Sequence, residues 1–372
     1  MTLAHLEVVD LRNILAIKFD PLLVGFNFIY GPNGSGKTSI LEAIYYLSRG
    51  RSFRSSAISR IIRRDTHKFR VFAQVRVSED HDFPVGIERP LQGDLKIRIA
   101  GKDVHSTAEL ADLIPVQLIN SHCYNLLDAG PSFRRKFLDW GVFYLNPAFL
   151  RVWRDYGLAL KQRNAALRNH RSPKELDSWS KELASHAVQL NQFRQNYIEQ
   201  FIPLFITTLA SLLNISGLEI TYQAGWDESQ DFYELLSSNY EKDTQAGHTQ
   251  FGPHRADLKI TINKISAKDI LSRGQQKLFV CAMMLAQGAL LQSSANKKPI
   301  YLIDDLPAEL DRVSRSDLMA LLSKQETQIF VTAVEQSALS DSLSMVPVKM
   351  FHVEHGNLTE VTRVSKMWSD KA

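Results

Sequence analysis

Gly31-Pro-Asn-Gly-Ser-Gly-Lys-Thr38 fits G-x-x-x-x-G-K-[ST], the pattern of a phosphate-binding P-loop. Its flanks decide the fold. Before it, Phe26-Asn-Phe-Ile-Tyr30 is a short, mostly apolar run that reads as a buried strand. After it, Ile40, Leu41, Ile44 and Leu47 fall on one face at helical spacing. Strand, glycine loop and helix are the arrangement the pattern needs. The glycines let backbone N–H groups turn inward around a polyphosphate, and the helix N-terminus adds partial positive charge. Gly31, Pro32, Asn33, Gly34, Ser35, Gly36, Lys37, Thr38 and Ser39 are therefore the candidate cradle for ATP. Lys37 can reach the β- and γ-phosphates, and the Thr38 hydroxyl can ligate Mg²⁺.

Ile300-Tyr-Leu-Ile-Asp-Asp305 is an apolar strand ending in two carboxylates, the Walker B pattern that completes such a site. Asp304 is assigned to the metal and Asp305 to the attacking water, so Lys37 and Asp305 are the candidate catalytic residues. Upstream, Leu271-Ser-Arg-Gly-Gln-Gln-Lys277 opens a helix with Leu278, Cys281, Ala282 and Leu285 on one face. This turn resembles the signature motif of ABC-type ATPases. The resemblance implies that Ser272, Gly274 and Gln275 bind the γ-phosphate held on a second subunit. One P-loop and one signature per chain then imply an ATP-dependent, head-to-tail homodimer with two composite sites. Glu309-Leu-Asp311 stands where such dimers carry the D-loop. The plainer reading of Ser272 to Gln275 is an ordinary helix N-cap.

Between these motifs the chain changes character several times. Leu3, Leu6 and Val8 alternate with polar neighbours as in a half-buried strand, Asp10-Leu-Arg-Asn13 reads as a turn, and Leu15 to Phe19 as a second strand. Arg12 is either a phosphate contact or a solvated turn residue. From Arg49 to Arg76 there are nine Lys or Arg against one acid, Asp65, with Phe53, Phe69 and Phe72 interleaved. Such an excess could neutralise several DNA phosphates, and Arg51, Arg54, Arg63 and Arg64 are the candidate DNA contacts. Snorkelling surface arginines around a strand at Phe69 to Val77 are the alternative. Alternation from Val85 to Ile99 predicts a hairpin, and Val116 to Ile119 a core strand. Pro131-Ser-Phe-Arg-Arg-Lys136 gives a helix a basic first turn, opposed to its dipole, which predicts an anionic ligand there.

Residues 147 to 245 read as a helical lobe. One stripe runs Phe149, Val152, Trp153, Tyr156, Leu160, Leu167, and after Pro173 a seven-residue repeat runs Leu176, Leu183, Leu190, Tyr197. A further short helix is expected to begin near Pro203. The acidic run from Asp227 to Asp243 is expected to be a solvated face. The fold class is thus α/β: an ABC-type P-loop ATPase head with an antiparallel β subdomain (lobe I) and an inserted α-helical lobe (lobe II). The expected divisions are 1–125 for the head's N-terminal part with P-loop and antiparallel sheet, 126–245 for lobe II, and 246–372 for the head's C-terminal part with signature and Walker B.

At 372 residues, 44% hydrophobic and a net charge of +4, the composition allows a large core and permits a nucleic-acid partner. Cys123 and Cys281 are too few and too separated for a disulfide framework or zinc site. No leader-like N-terminus and no uninterrupted apolar run of membrane-spanning length are read, so a cytoplasmic protein without a membrane partner is expected.

Taken together, the stretches resemble the RecF family of DNA repair proteins (SMC-like, ABC-type ATPases) along essentially the whole chain. The resemblance rests on Asp10-Leu-Arg-Asn13, Gly31 to Ser39, Pro131-Ser-Phe-Arg-Arg135 through Leu138-Asp-Trp140, and Lys161-Gln-Arg-Asn-Ala165. It continues through Gly252-Pro-His-Arg255 with Asp257, Leu271 to Gln275, and Asp304-Asp305 through Glu309-Leu-Asp311. It implies a weak, DNA-stimulated ATPase that dimerises on ATP and binds double-stranded DNA at gaps or single/double-strand junctions. It further implies RecR and RecO as partners, RecA loading and the SOS response downstream, and slow hydrolysis that releases DNA. Thr332 stands where transporter ATPases carry a histidine, which suits a slow timer. A transporter ATPase would not need the basic sheet and helical hairpin, and the heptad stretch is too short for an SMC arm.

Overall fold

A computed structural model of the chain describes residues 1–78, 81–305, 310–336 and 347–361. Two units are present, Met1–Cys123 with Asn296–Ala372, and Tyr124–Ala295. The alternation at the N-terminus forms β1 (Thr2–Leu11), with Leu3, Leu6, Val8 and Leu11 buried, and β2 (Ile14–Phe19) folds back on it antiparallel. β3 (Gly25–Tyr30), the run before the P-loop, has Phe26 to Ile29 wholly buried. It leads into α1 (Lys37–Arg49), ended by Gly50 in the left-handed conformation. β4 (Lys68–Ser78), β5 (His81–Pro90), β6 (Lys96–Ile99) and β7 (Lys102–Val104) complete a six-stranded antiparallel sheet in the order β2-β1-β4-β5-β6-β7. α2 (Thr107–Leu113) and β8 (Val116–Ile119) follow.

The second unit holds α3 (Asn125–Asp128), α4 (Pro131–Leu145), α5 (Phe149–Arg168) and α6 (Pro173–Ala210). β9 (Leu218–Gln223), α7 (Phe232–Ser238), α8 (Tyr240–Ala246), β10 (Asp257–Ile262), β11 (Ile265–Ser266), α9 (Ala267–Ile270) and α10 (Arg273–Ala295) complete it. α5 and α6 pack as the expected hairpin, with Leu176, Leu183, Leu190 and Tyr197 buried. Ser172 and Glu175 close a capping box at the start of α6.

Three expectations are corrected in this unit. No new helix starts near Pro203: α6 runs through it to Ala210. An interior proline costs about 3 kcal/mol, and here a buried aromatic ladder, Tyr197 on Phe201 on Phe205, holds the helix on either side of it. Asp243 is not on a solvated face but 1% exposed, paired with Arg163 at 2.8 Å. The division at 245 also differs: residues through Ala295 cluster with the helices, because α10 packs on α6 and α4. Gln287 of α10 donates to the Phe137 carbonyl at 3.0 Å and the Tyr197 hydroxyl at 2.7 Å. By length and composition α10 could cross a membrane, but most of its apolar surface is buried in this packing.

The chain re-enters the first unit with β12 (Ile300–Ile303), α11 (Arg312–Ser323), β13 (Gln328–Ala333), β14 (Val348–Glu354) and β15 (Asn357–Val361). Their sheet has the order β15-β14-β3-β13-β12-β8, parallel except for the edge hairpin β14–β15. One apolar cluster joins α1 to the inner faces of both sheets, through Ile40, Leu41, Ile44 and Leu47.

Candidate nucleotide site

Parallel register decides where the site falls. Ile303 is level with Val331, and Thr332 with Ile29, so β3, β12 and β13 end side by side. In open α/β sheets ligands bind outside the carboxyl ends of the strands. The P-loop leaves β3 there, Asp304 and Asp305 follow β12, and Thr332 lies near the end of β13. A cavity of ≈ 460 Å³ is lined by these residues together with Arg12, Asn13, Arg54 and Arg60.

The loop is braced from both sides. At Gly31 (φ 152°) a Cβ would lie 2.1 Å from the Val353 carbonyl oxygen, so only glycine fits against β14. Gly36 (φ 121°) leaves room for Asn13, whose Nδ2 donates to the Gly34 carbonyl at 3.1 Å. The Ser39 hydroxyl donates to Asn13 Oδ1 at 3.1 Å, and the Gly356 N–H of the β14–β15 turn donates to the Ser35 carbonyl at 2.8 Å. The Ser35 hydroxyl is buried without a hydrogen-bond partner among the described residues. Such an orphan fits a loop built to meet an anion. Lys37, 8% exposed, donates through Nζ to the Gly31 and Pro32 carbonyls at 2.8 and 2.9 Å. Burial lowers its pKa, and the nearby charges of Asp305 and Asp304 oppose that shift.

Opposite the lysine stand the carboxylates. Asp304 Oδ1 accepts from the Thr38 hydroxyl at 2.9 Å and from the Thr332 hydroxyl at 2.8 Å. Asp305 follows in the left-handed region (φ 54°), its N–H donating to Thr332 Oγ1 at 2.9 Å. Thr38, Asp304 and Asp305 thus gather hard oxygen atoms, the ligand type Mg²⁺ takes from such sites along with phosphate oxygens.

Sequence reasoning missed Glu42. It sits on the buried face of α1, 0% exposed. Arg12 grips it with two bonds, at 2.9 and 2.7 Å, Ser52 donates to it, and Arg54 lies 3.5 Å away. The available signal was a carboxylate in the apolar stripe of the P-loop helix, one turn beyond Thr38. Arg12 (φ 57°) is therefore not a solvated turn residue; it lines the cavity and also donates to the Arg60 carbonyl. Arg54, its side chain 44% exposed, also lines this cavity beside Glu42, whereas Arg51, Arg63 and Arg64 do not line it. Of those three, Arg51 and Arg64 are exposed and Arg63 is half-buried, its N–H bonded to the Asp10 carbonyl at 2.8 Å.

In the second unit, Ser272 is exposed at the start of α10 and forms a reciprocal cap with Gln275. The Gln275 N–H reaches Ser272 Oγ at 3.3 Å, and the Ser272 N–H reaches Gln275 Oε1 at 2.9 Å. A Cβ added at Gly274 would meet nothing within 4 Å. Glu309 of the expected D-loop lies outside the described residues, while Asp311 caps α11 by accepting from the Ser314 N–H at 2.9 Å. The basic first turn of α4 does not need a ligand to balance Arg134: that side chain grips Asp257 at 2.6 and 3.0 Å, and Arg135 donates to the Ala256 carbonyl at 2.8 Å. His254 is held between the Tyr156 hydroxyl (2.6 Å) and the Thr249 carbonyl (3.0 Å), its pKa pushed down to about 4, chiefly by burial. The Pro-Ser-Phe-Arg-Arg stretch is thus tied to Ala256 and Asp257, directly after Gly252-Pro-His-Arg255.

Comparisons with known proteins give the family and the fold. Residues 2–359 match the family described as RecF/RecN/SMC N terminal domain. The chain is 42% identical to the DNA replication and repair protein RecF of Shewanella frigidimarina, over 97% of this chain and 100% of that one. Against the RecF of Stutzerimonas stutzeri it is 42% identical over 97% and 98%. Among solved structures, a recombination mediator RecF bound to ATP in the RecFOR pathway superposes with a TM-score of 0.84 at 26% identity, covering 97% of this chain and 98% of that one. An Smc head bound to the C-winged helix domain of ScpA, at 14% identity and a TM-score of 0.61 over 97% of each chain, shares the fold.

Proposed function

The chain belongs to the RecF family of DNA replication and repair proteins, and from that premise we propose that it is an ATP-gated clamp on double-stranded DNA. The observation that carries the reading is the convergence of Lys37, Thr38, Asp304 and Asp305 on one cavity beneath a braced P-loop. ATP lies along Gly31 to Ser39, its phosphates met by loop N–H groups, Lys37 and the Ser35 hydroxyl. Thr38 and Asp304 would hold Mg²⁺, which would supply positive charge against the phosphates. Asp305 orients the attacking water. Ser272, Gly274 and Gln275 of a second copy close over the γ-phosphate, giving a head-to-tail homodimer with two such sites.

Closure brings the basic surface around Arg51, Arg63 and Arg64 to the duplex, contacting phosphates without reading bases. Arg54, at the cavity, sits between that surface and the nucleotide. Slow, DNA-stimulated hydrolysis removes the γ-phosphate that bridges the subunits and releases the DNA. The same reading gives gapped or junction DNA as the target, RecR and RecO as partners, RecA loading and the SOS response as the outcome, and the cytoplasm as the place.

Asp305→Asn keeps the shape of the site but weakens water activation. With ATP and Mg²⁺, its complex on gapped DNA is expected to dissociate at least about tenfold more slowly than the wild-type complex, a barrier change near 1.4 kcal/mol. Surface-immobilised DNA read in real time checks this. Equal dissociation rates would remove Asp305 from the release step.

A further inference from the structure

We propose that Thr332 is a positioning residue of the ATP site, a single buried hydroxyl that holds both the carboxylate of Asp304 and the backbone of Asp305. The inference rests on the ATP reading above and deepens it. Thr332 is 0% exposed. β12 ends at Ile303, whereas its neighbour β13 runs two residues beyond the level of Ile303, so Thr332 lies beside the turn that carries Asp304 and Asp305. Its hydroxyl is used in both directions. It donates to Asp304 Oδ1 at 2.8 Å and accepts from the Asp305 N–H at 2.9 Å.

The two bonds do different things. Asp304 Oδ1 has two hydroxyl donors, Thr38 and Thr332. Thr38 is also a candidate metal ligand, so the position of its hydroxyl would be shared between Asp304 and a cation. Thr332 has no such second duty, so its bond to the Asp304 carboxylate does not depend on what Thr38 holds. The bond from Asp305 addresses a strained residue. A non-glycine residue at φ 54° sits in the left-handed region that side-chain-bearing residues adopt uncommonly, and an N–H fixed on Thr332 selects that conformation. One hydroxyl therefore links the orientation of the metal-side acid to the backbone of the water-side acid. A histidine at this position could not reproduce the pattern: its imidazole lacks a short hydroxyl that donates and accepts at one atom.

Thr332→Val preserves the shape and removes the hydroxyl, and Thr332→Ser restores it. The direct readout is nucleotide binding, measured with a fluorescent ATP analogue in Mg²⁺ and again in EDTA. Hydrogen bonds to charged groups contribute enough that losing one changes an equilibrium by roughly 10- to 100-fold. The ratio of affinities, Mg²⁺ over EDTA, is expected to fall by about tenfold or more in Thr332→Val, with kcat reduced at saturating ATP, and to return to near the wild-type ratio in Thr332→Ser. A valine variant with the wild-type ratio and kcat would overturn the assignment. So would a serine variant as impaired as the valine one, since a loss that the hydroxyl cannot rescue is a packing effect. A wild type that binds no ATP analogue in either buffer would instead overturn the ATP reading, and is distinguishable because it precedes any comparison of variants.

Discussion

Asp243→Ala is expected to lower the stability of the second unit by about 3–5 kcal/mol, the cost of leaving one partner of a buried ion pair uncompensated. Asp243 and Arg163 are each 1% exposed at the side chain and meet at 2.8 Å. Arg163 is otherwise held by neutral groups: Ser180 Oγ at 3.1 Å, Thr249 Oγ1 at 2.7 Å and the Leu236 carbonyl at 3.2 Å. These satisfy its N–H groups but not its charge. The second Asp243 oxygen accepts from the Gln250 N–H at 3.1 Å, so the same carboxylate ties α5 to the segment leading into Gly252-Pro-His-Arg255. Urea unfolding followed by circular dichroism reads the effect as a lower midpoint. A change below about 1 kcal/mol, the range of an exposed pair, would mean that Asp243 is solvated after all.

Lys37→Met should reduce ATP affinity by about 100-fold or more. The side chain keeps its length and loses a charge that makes more than one charge-assisted hydrogen bond, each contributing roughly 1.5–3 kcal/mol. In the structure the ammonium already serves two acceptors, the Gly31 and Pro32 carbonyls, inside a loop whose remaining polar groups point to an anion. The asymmetry with Asp305→Asn is the useful part: the first variant fails to bind, the second binds and fails to let go. Isothermal titration with ATP separates them. Equal behaviour of the two would contradict the separate roles given to the lysine and the carboxylate.

How far the sequence carried this account differs from motif to motif. The P-loop and Walker B were legible because each combines a local pattern with a strand whose end fixes its place, and β3 and β12 do end at one edge of the sheet. Glu42 and the partners of Arg12 and Thr332 were not, because they meet across long stretches of sequence: Glu42 is 30 residues from Arg12, and Asp304 is 28 from Thr332. The acidic run misled for a related reason. Composition predicts the average exposure of a segment, and Asp243 is the member that a buried arginine singles out. Pro203 misled because the cost of a helix-interior proline is local, while the aromatic ladder that offsets it runs across it from Tyr197 to Phe205. Arg54 sat within a basic stretch, and charge counting cannot tell which of its arginines lines the cavity.

The central claim is that nucleotide joins two copies through the signature turn. Sedimentation velocity of the wild type and of Ser272→Arg, each with and without ATP and Mg²⁺ under conditions that slow turnover, tests it most directly. Ser272 is exposed at the start of α10, so a long cation there leaves the fold intact and obstructs the approach of a second chain's phosphate site. The account predicts a monomer-to-dimer shift in the wild type only with nucleotide, and a Ser272→Arg protein that binds ATP yet stays monomeric. A Ser272→Arg protein that dimerises on ATP as the wild type does would contradict it.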